Sequence, residues 1–364
     1  MRIFAVVYLL LCCCVSLLCP LTCAVPDASS ERGVAACNGK ACVEQESRVR
    51  LLFMGDIMGH MPQVESARRS DGSYDFSPVF RYVKPLIERA DLAVANLETT
   101  LAAEPPYSGY PRFRTPASLA AAMRDAGVDV VLTANNHSLD CGAEGVQSTL
   151  RELDYYGLMH TGTSGEALHC SPLIVDCQGV SIAILNYTFS TNGIPLPEGV
   201  GVNMLDRGLI ASDLAECAAT DVQVVCLHWG VEYAKVASRE QRRIAEWLRA
   251  EGVDIVVGTH PHTVQGVECD GRSVTLYSLG NFVSNQRMEG TDEGLMAEVE
   301  CTIRRNAEGA EVKAETAEKG AEGAEGAAPC ESECYCRVNL LPVWVRHRDY
   351  AVIPTLLSPK GLMR

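Results

Sequence analysis

Five of the eight histidines in this chain, His60, His137, His228, His260 and His262, stand in short polar motifs together with Asp, Glu and Asn. The motifs are Gly55-Asp56-Ile57-Met58-Gly59-His60, Asn96-Leu97-Glu98, Asn135-Asn136-His137, His228-Trp229-Gly230, His260-Pro261-His262 and Gly280-Asn281-Phe282. Asp56, Glu98, Asn136, His228, His260 and His262 make up the ligand set of a hydrolytic metal centre. They offer hard carboxylate and amide oxygens and imidazole nitrogens to a divalent ion with one position left for water. A carboxylate shared between two ions holds them about 3.5–4 Å apart, which Asp56 or Glu98 could do. His137 directly follows Asn136 and suits a general acid standing beside the metal. His260 and His262 are two residues apart, so an extended backbone would point both to one side. Taken singly, Asp56 or Asn136 reads as a turn or helix cap and His228 as a hydrogen-bonded core histidine. Their joint occurrence is what points to one site.

Five of the six motifs each close an apolar run: Val49 to Met54, Leu92 to Ala95, Val128 to Leu132, Val222 to Leu227 and Val253 to Val257. Strands buried on both faces read this way, and functional groups gather at strand carboxyl ends in open α/β sheets. Helical periodicity covers residues 78–90, 116–126, 143–156 and 238–251. This alternation implies βαβ units and a largely parallel sheet. Leu173 to Val175 with Ser181 to Asn186, and Val264 to Glu268 with Ser273 to Ser278, read as hairpins. Leu295 to Ile303 and Val338 to Arg346 read as two late strands, which suggests a two-sheet sandwich with outer helices in one domain.

The net charge of −15 argues against a nucleic-acid partner. Much of it sits in residues 306–333, where eight Glu face two Lys. That Ala/Glu/Gly-rich stretch has few large apolar side chains and reads as a disordered insertion extending a hairpin loop. Residues 1–24 carry a basic start, a short apolar core and a small-residue end, the pattern of an export signal. Cleavage after Ala24, lipidation at Cys19 or Cys23, and an uncleaved anchor all remain open readings. Residues 25–48 read as a linker and 49–359 as the folded domain. Twelve of the 17 Cys lie beyond the signal, a number that fits an oxidising compartment. Cys37 with Cys42, and Cys170 with Cys177, are near enough to staple local loops. Cys330, Cys334 and Cys336 match no strong zinc spacing and read as disulfide or unpaired cysteines. The loop Pro105 to Arg114 carries Arg112 and Arg114, which would suit carboxylates or phosphates of a substrate. Gly193 to Gly201 is a second long loop.

As a set, the motifs from Gly55-Asp56-Ile57-Met58 through Ala95-Asn96-Leu97-Glu98-Thr99-Thr100-Leu101, Thr133-Ala134-Asn135-Asn136-His137-Ser138-Leu139-Asp140, Asn186-Tyr187-Thr188-Phe189, His228-Trp229-Gly230-Val231-Glu232-Tyr233, Gly258-Thr259-His260-Pro261-His262 and Ser278-Leu279-Gly280-Asn281-Phe282 carry a resemblance. Over about residues 50 to 300 the chain resembles the CapA (PgsA) family of bacterial capsule and poly-γ-glutamate synthesis, a branch of the calcineurin-like metallophosphoesterases. The resemblance implies a four-layer α/β/β/α sandwich with one or two divalent ions (Mn, Fe or Zn) at the strand ends. Asn136, His228 and His260 would serve one ion, Asp56 and His262 the other, with Glu98 bridging and His137 as acid. Two positions depart from the superfamily pattern. Met58 stands where a His ligand is usual, with His60 as a substitute only if the chain bends, and Asn96-Leu97-Glu98 replaces a Gly-Asp motif. A single ion, or a pair with one weak site, is therefore also open.

The expected protein is an exported, metal-dependent hydrolase acting on an envelope polymer of the poly-γ-glutamate kind or another anionic substrate, in partnership with a membrane capsule-synthesis complex. The alternatives are a non-catalytic polymer-binding or assembly protein on the same fold and a periplasmic phosphodiesterase.

Overall fold

The computed structural model describes residues 45–305 and 332–355. The export signal, most of the linker and residues 306–331 of the acidic insertion lie outside the described residues. From the amino end come β1 (Gln45–Met58), α1 (Met61–Ala67), α2 (Ser77–Phe80), α3 (Lys84–Ile87), β2 (Leu92–Glu98), β3 (Thr100–Ala102) and β4 (Arg114–Pro116). Next are α4 (Ser118–Ala126), β5 (Val130–Leu132), α5 (Gly142–Tyr155), β6 (Met159–Thr161) and β7 (Thr163–Ser164). The second half opens with β8 (Leu173–Cys177), β9 (Val180–Thr188), β10 (Gly201–Val202), α6 (Arg207–Glu216), β11 (Val222–His228) and α7 (Arg239–Ala250). It continues with β12 (Ile255–Thr259), β13 (Val267–Cys269), β14 (Val274–Leu276), β15 (Asn281–Val283), β16 (Glu293–Arg305), β17 (Ser332–Arg346) and β18 (Ala351–Pro354).

Two mixed sheets pack face to face. The first runs β18-β17-β16-β1-β2-β5-β6, with β15 also beside β1, and the second runs β13-β14-β12-β11-β9-β8. The motif-bearing strands β1, β2, β5 and β9, β11, β12 pair in parallel, and antiparallel strands extend both sheets. Alternate residues of β1 explain the layering. Leu52 and Met54 face helices α1 to α4, whereas Val49, Leu51 and Phe53 face the second sheet. Beyond that sheet, Leu185, Val225 and Leu227 pack on Ile244, Ala245 and Leu248 of α7. Helices, sheet, sheet and helices make the four-layer sandwich expected from the sequence.

The boundaries differ in places. Residues 78–90 form two short helices rather than one, because Pro85 lacks the N–H that would continue the first. β1 reaches back to Gln45, inside the stretch that reads as linker, where its early residues pair with the end of β16. Ser332 and Glu333, read as part of the insertion, belong to β17 opposite Arg305 and Arg304. Cys170 and Cys177 are both free thiols, not a staple; Cys177 instead hydrogen-bonds the Asp91 carbonyl. Among the described residues, no helix is long and apolar enough to cross a membrane.

Candidate metal centre

The carboxyl ends of β1, β2, β5, β11 and β12 meet where the two sheets touch. At the end of β1 the register with β2 shifts between Met54 and Asp56, a bulge that re-aims the Asp56 side chain. Gly55 is required there, since a Cβ would stand 1.9 Å from the Gly280 carbonyl oxygen. The close approach lets β15 lie beside β1, in register Asp56 to Asn281.

Glu98 sits at the centre of the site. It is fully buried, and neither carboxylate oxygen has a hydrogen-bond partner among the described residues. Around its Oε1 stand the Nε2 atoms of His262 at 3.7 Å, His228 at 3.8 Å and His137 at 3.9 Å. Ligand atoms each about 2.1 Å from a shared ion stand roughly 3 to 4 Å apart, the spacing of a coordination shell. A buried carboxylate without partners is expensive, and a cation removes that expense. Burial, and then the Asp56 carboxylate, raises the Glu98 carboxyl well above its ordinary range.

His228 and His260 are presented as neutral imidazoles, the form that binds metal. Burial and then His260 hold His228 well below its usual range, and burial and then His262 push His260 down to about 3. His228 Nε2 faces Asn136 Oδ1 at 2.8 Å and His260 Nδ1 at 3.2 Å as well as Glu98. One imidazole proton cannot satisfy three such neighbours, whereas an ion would draw all of them as ligands. For His262, Asn281 fixes the geometry. The Asn281 amide donates to the Thr291 carbonyl and Gln286, turning its Oδ1 onto His262 Nδ1 at 3.0 Å. That leaves Nε2 for Glu98 and its ion. Asp56 Oδ2 lies 3.2 Å from the same Nδ1, and its Oδ1 accepts from the Asn96 amide at 2.8 Å. The donor set, buried and partly orphaned, fits a divalent ion. Two groups converge, Glu98 with His228 and His260, and Asp56 with Glu98 and His262.

Each remaining expectation finds its place. His260 and His262 do reach one site, but not from extended backbone: their φ values are +96° and +58°. Two strained non-glycine residues so close together are found where surrounding structure overrides local preference. His60 does not join the ligands. It packs on Phe113 with its Nδ1 on Gln63 Oε1 at 3.1 Å, because the chain turns into α1 before it could bend back. Asn96 supports Asp56 and keeps its own buried Oδ1 without a partner among the described residues. Arg114 is engaged within its own loop, where its guanidinium clamps the carbonyls of Glu104 and Pro106. Arg112 stays exposed on that loop. The loop's Phe113 lies edge-on to His137 with ring centroids 4.7 Å apart. Asn192, at the start of the second long loop, accepts from the Asn136 amide at 3.3 Å.

Two site residues were missed at the level of sequence. Glu232 groups with His260 and His262; the signal was its place four residues past His228. Asp140 takes His137 Nδ1–H at 2.8 Å; the signal was the three-residue spacing within one loop.

The family profile described as bacterial capsule synthesis protein PGA_cap matches residues 50–286, a span that includes every candidate ligand. The PGA biosynthesis protein CapA of Bacillus subtilis (strain 168) is 29% identical over 268 residues, covering 71% of this chain and 68% of that protein. The capsule biosynthesis protein CapA of Bacillus anthracis is 28% identical over 274 residues, covering 70% and 64%. The chain thus spans about two thirds of the length of these relatives. A solved phosphatase from Mycoplasma pneumoniae superposes at a TM-score of 0.45 with 14% identity over 88% of this chain and 98% of its own, a likeness too remote to carry an argument. With more than half of its length matched by the profile, the chain belongs to the bacterial capsule synthesis protein PGA_cap family.

Proposed function

We propose that this protein is an exported, metal-dependent hydrolase of capsule-polymer metabolism, cutting a poly-γ-glutamate-type chain or a related anionic envelope polymer. The observation that supports it most is the Glu98 carboxylate, buried without hydrogen bonds and ringed by three imidazole nitrogens. Asn136, His228 and His260 would hold one ion and Asp56 and His262 a second, with Glu98 between them. Such an ion supplies Lewis acidity and activates water. The rest of the chemistry belongs to side chains. His137 is held by Asp140 through its Nδ1–H, so Nε2 faces the site. In its doubly protonated form the ring would pass the Nε2 proton to a leaving amine or alkoxide and stay neutral, with Nδ1–H still donating to Asp140. Phe113 shields one edge of that imidazole from water. Arg112 is the basic side chain on the rim loop with which a polymer carboxylate could pair.

The test is incubation of the full chain with poly-γ-glutamate and Mn²⁺, Fe²⁺ or Zn²⁺ in turn, following polymer length. The expected result is metal-dependent shortening that is lost in Glu98→Gln and His137→Gln. One observation favours a second reading, a polymer-binding or assembly protein. Met58, a thioether that binds hard ions poorly, is the register partner of Glu98. Polymer binding with no shortening, together with no bound metal in elemental analysis, would replace the first reading by the second.

A further inference from the structure

A second group of ligand atoms lies at the other ends of the strands. Cys301 on β16 and Cys336 on β17 face each other across an antiparallel pair. Cys334, two residues before Cys336, points to the same side. The Cys336 sulfur is 3.8 Å from those of both Cys301 and Cys334, and all three lie within 4.8 Å of one another. All three are free thiols. Asp254 and Cys334 both line a surface cleft of about 420 Å³, so an ion has a way in.

The spacing selects the chemistry. A tetrahedral ion with sulfur ligands at about 2.3 Å sets those sulfurs about 3.8 Å apart. A disulfide would use only two of the three thiols and leave the third without a role. Sequence spacing hid the cluster, because Cys301 comes from the neighbouring strand and stands 33 positions from Cys334.

We propose that Cys301, Cys334 and Cys336 bind a zinc ion as thiolates, with its fourth position at the cleft that Cys334 and Asp254 line. Three thiolates hold the ion and the fourth position opens to the cleft. The ion fastens β16 to β17 across their antiparallel pairing. From Asp254 to His260 the chain runs roughly 20 Å at about 3.3 Å per residue, so this ion is distinct from any at Glu98.

The full chain, purified under reductant and stripped with chelator, is titrated with Co²⁺ as a spectroscopic stand-in, and zinc is then counted by elemental analysis. Wild type should develop thiolate-to-cobalt charge-transfer absorption and retain one zinc that resists removal of the Glu98-centred ions. Cys336→Ser and Cys334→Ser should both lose these, whereas His260→Ala keeps them. Cys334 lies at the cleft rather than deep in the core, so its variant tests the site even if Cys336→Ser fails to fold. Absence of the charge-transfer band in wild type, or its persistence in both cysteine variants, overturns the proposal. So does a Cys301–Cys336 disulfide found by peptide mapping of the exported, unreduced protein, which would make the pair a cross-strand staple. Loss of polymer cleavage alone bears on the Glu98 centre and leaves this site standing.

Discussion

His137 and Asp140 form a hydrogen-bonded pair within one loop, Nδ1 to Oδ2 at 2.8 Å, and the Phe113 backbone N–H donates to the same oxygen at 2.6 Å. Asp140 is buried, so the pair is locked on all sides. The carboxylate holds the Nδ1 proton and aims Nε2, the nitrogen from which a proton would be delivered, at Glu98. Replacing Asp140 by Asn keeps the shape and removes the charge, and puts an amide donor against the Phe113 N–H or the imidazole. Turnover should fall about tenfold to a hundredfold, the range seen for such supporting partners. Because the defect lies in proton delivery, substrates with a poor leaving group should lose most and activated esters little. Metal content should not change, and parallel loss on both substrate types would show a general structural role instead.

Glu98→Gln separates metal binding from folding. Ligand that binds only the native state stabilises it by about 2.7 kcal/mol at one hundred times its Kd. Wild type should therefore gain several degrees in Tm when Mn²⁺ or Zn²⁺ is added to chelator-treated protein. The amide introduced by the substitution offers a neutral oxygen in place of a charge, so that gain should vanish at the Glu98 centre. Without metal the variant should be at least as stable as wild type, since it no longer buries an ionisable carboxyl without partners. Calorimetry with and without metal reads both outcomes.

How far the site was legible in sequence follows from how its parts are placed. Asp56, Glu98, Asn136, His137, His228, His260 and His262 each lie at or just past a strand end, and a parallel sheet necessarily brings such ends together. The ligands were visible for that reason. The positive φ of His260 and His262 was not, because it is imposed by packing around the Pro261 turn rather than by local preference. His60 looked like a spare ligand only while the direction of the chain after Gly59 was unknown. The two-sheet layering was legible in the hairpins and late strands added to a parallel core, whereas the break at Pro85 was masked by the helical periodicity of residues 78–90. Cross-strand groupings such as Cys301 with Cys336 depend on register, which no spacing rule in a single chain reveals.

His60 gives a pH signature. Burial is the main cause that pushes its imidazole down from 6.5 to about 4, against the Gln63 hydrogen bond. Its folded value lies below its unfolded one, so between these values the unfolded chain binds more protons. The stability this group allows is complete above pH 6.5 and is lost as pH falls toward 4. The full effect is about 3 kcal/mol from the size of the shift. His60→Gln cannot titrate, so the gap between wild-type and variant stability in chelator should change by that amount over this window, with wild type losing ground in acid. A constant gap across the window would show that His60 is as easily protonated in the fold as outside it.

Arg305 and Asp221 supply the last prediction, away from any metal. The pair is bidentate, at 3.2 and 2.8 Å, and nearly inaccessible to water. Arg305 ends β16 in the first sheet, and Asp221 precedes β11 in the second. Asp221 also takes the backbone N–H and hydroxyl of Ser181, and Arg305 donates to the Gly179 carbonyl. The guanidinium therefore ties the end of one sheet to the β8–β9 hairpin of the other. Asp221→Ala leaves a buried guanidinium uncompensated and should destabilise by about 3–5 kcal/mol. Removing both charges, in Asp221→Leu with Arg305→Met, should recover much of that loss, because desolvation of the ions disappears along with their attraction. Urea unfolding of the two single variants and the double variant measures the coupling directly. If the single and double variants lose equal stability, the ion pair is not what holds this corner, and the Ser181 and Gly179 hydrogen bonds carry it instead.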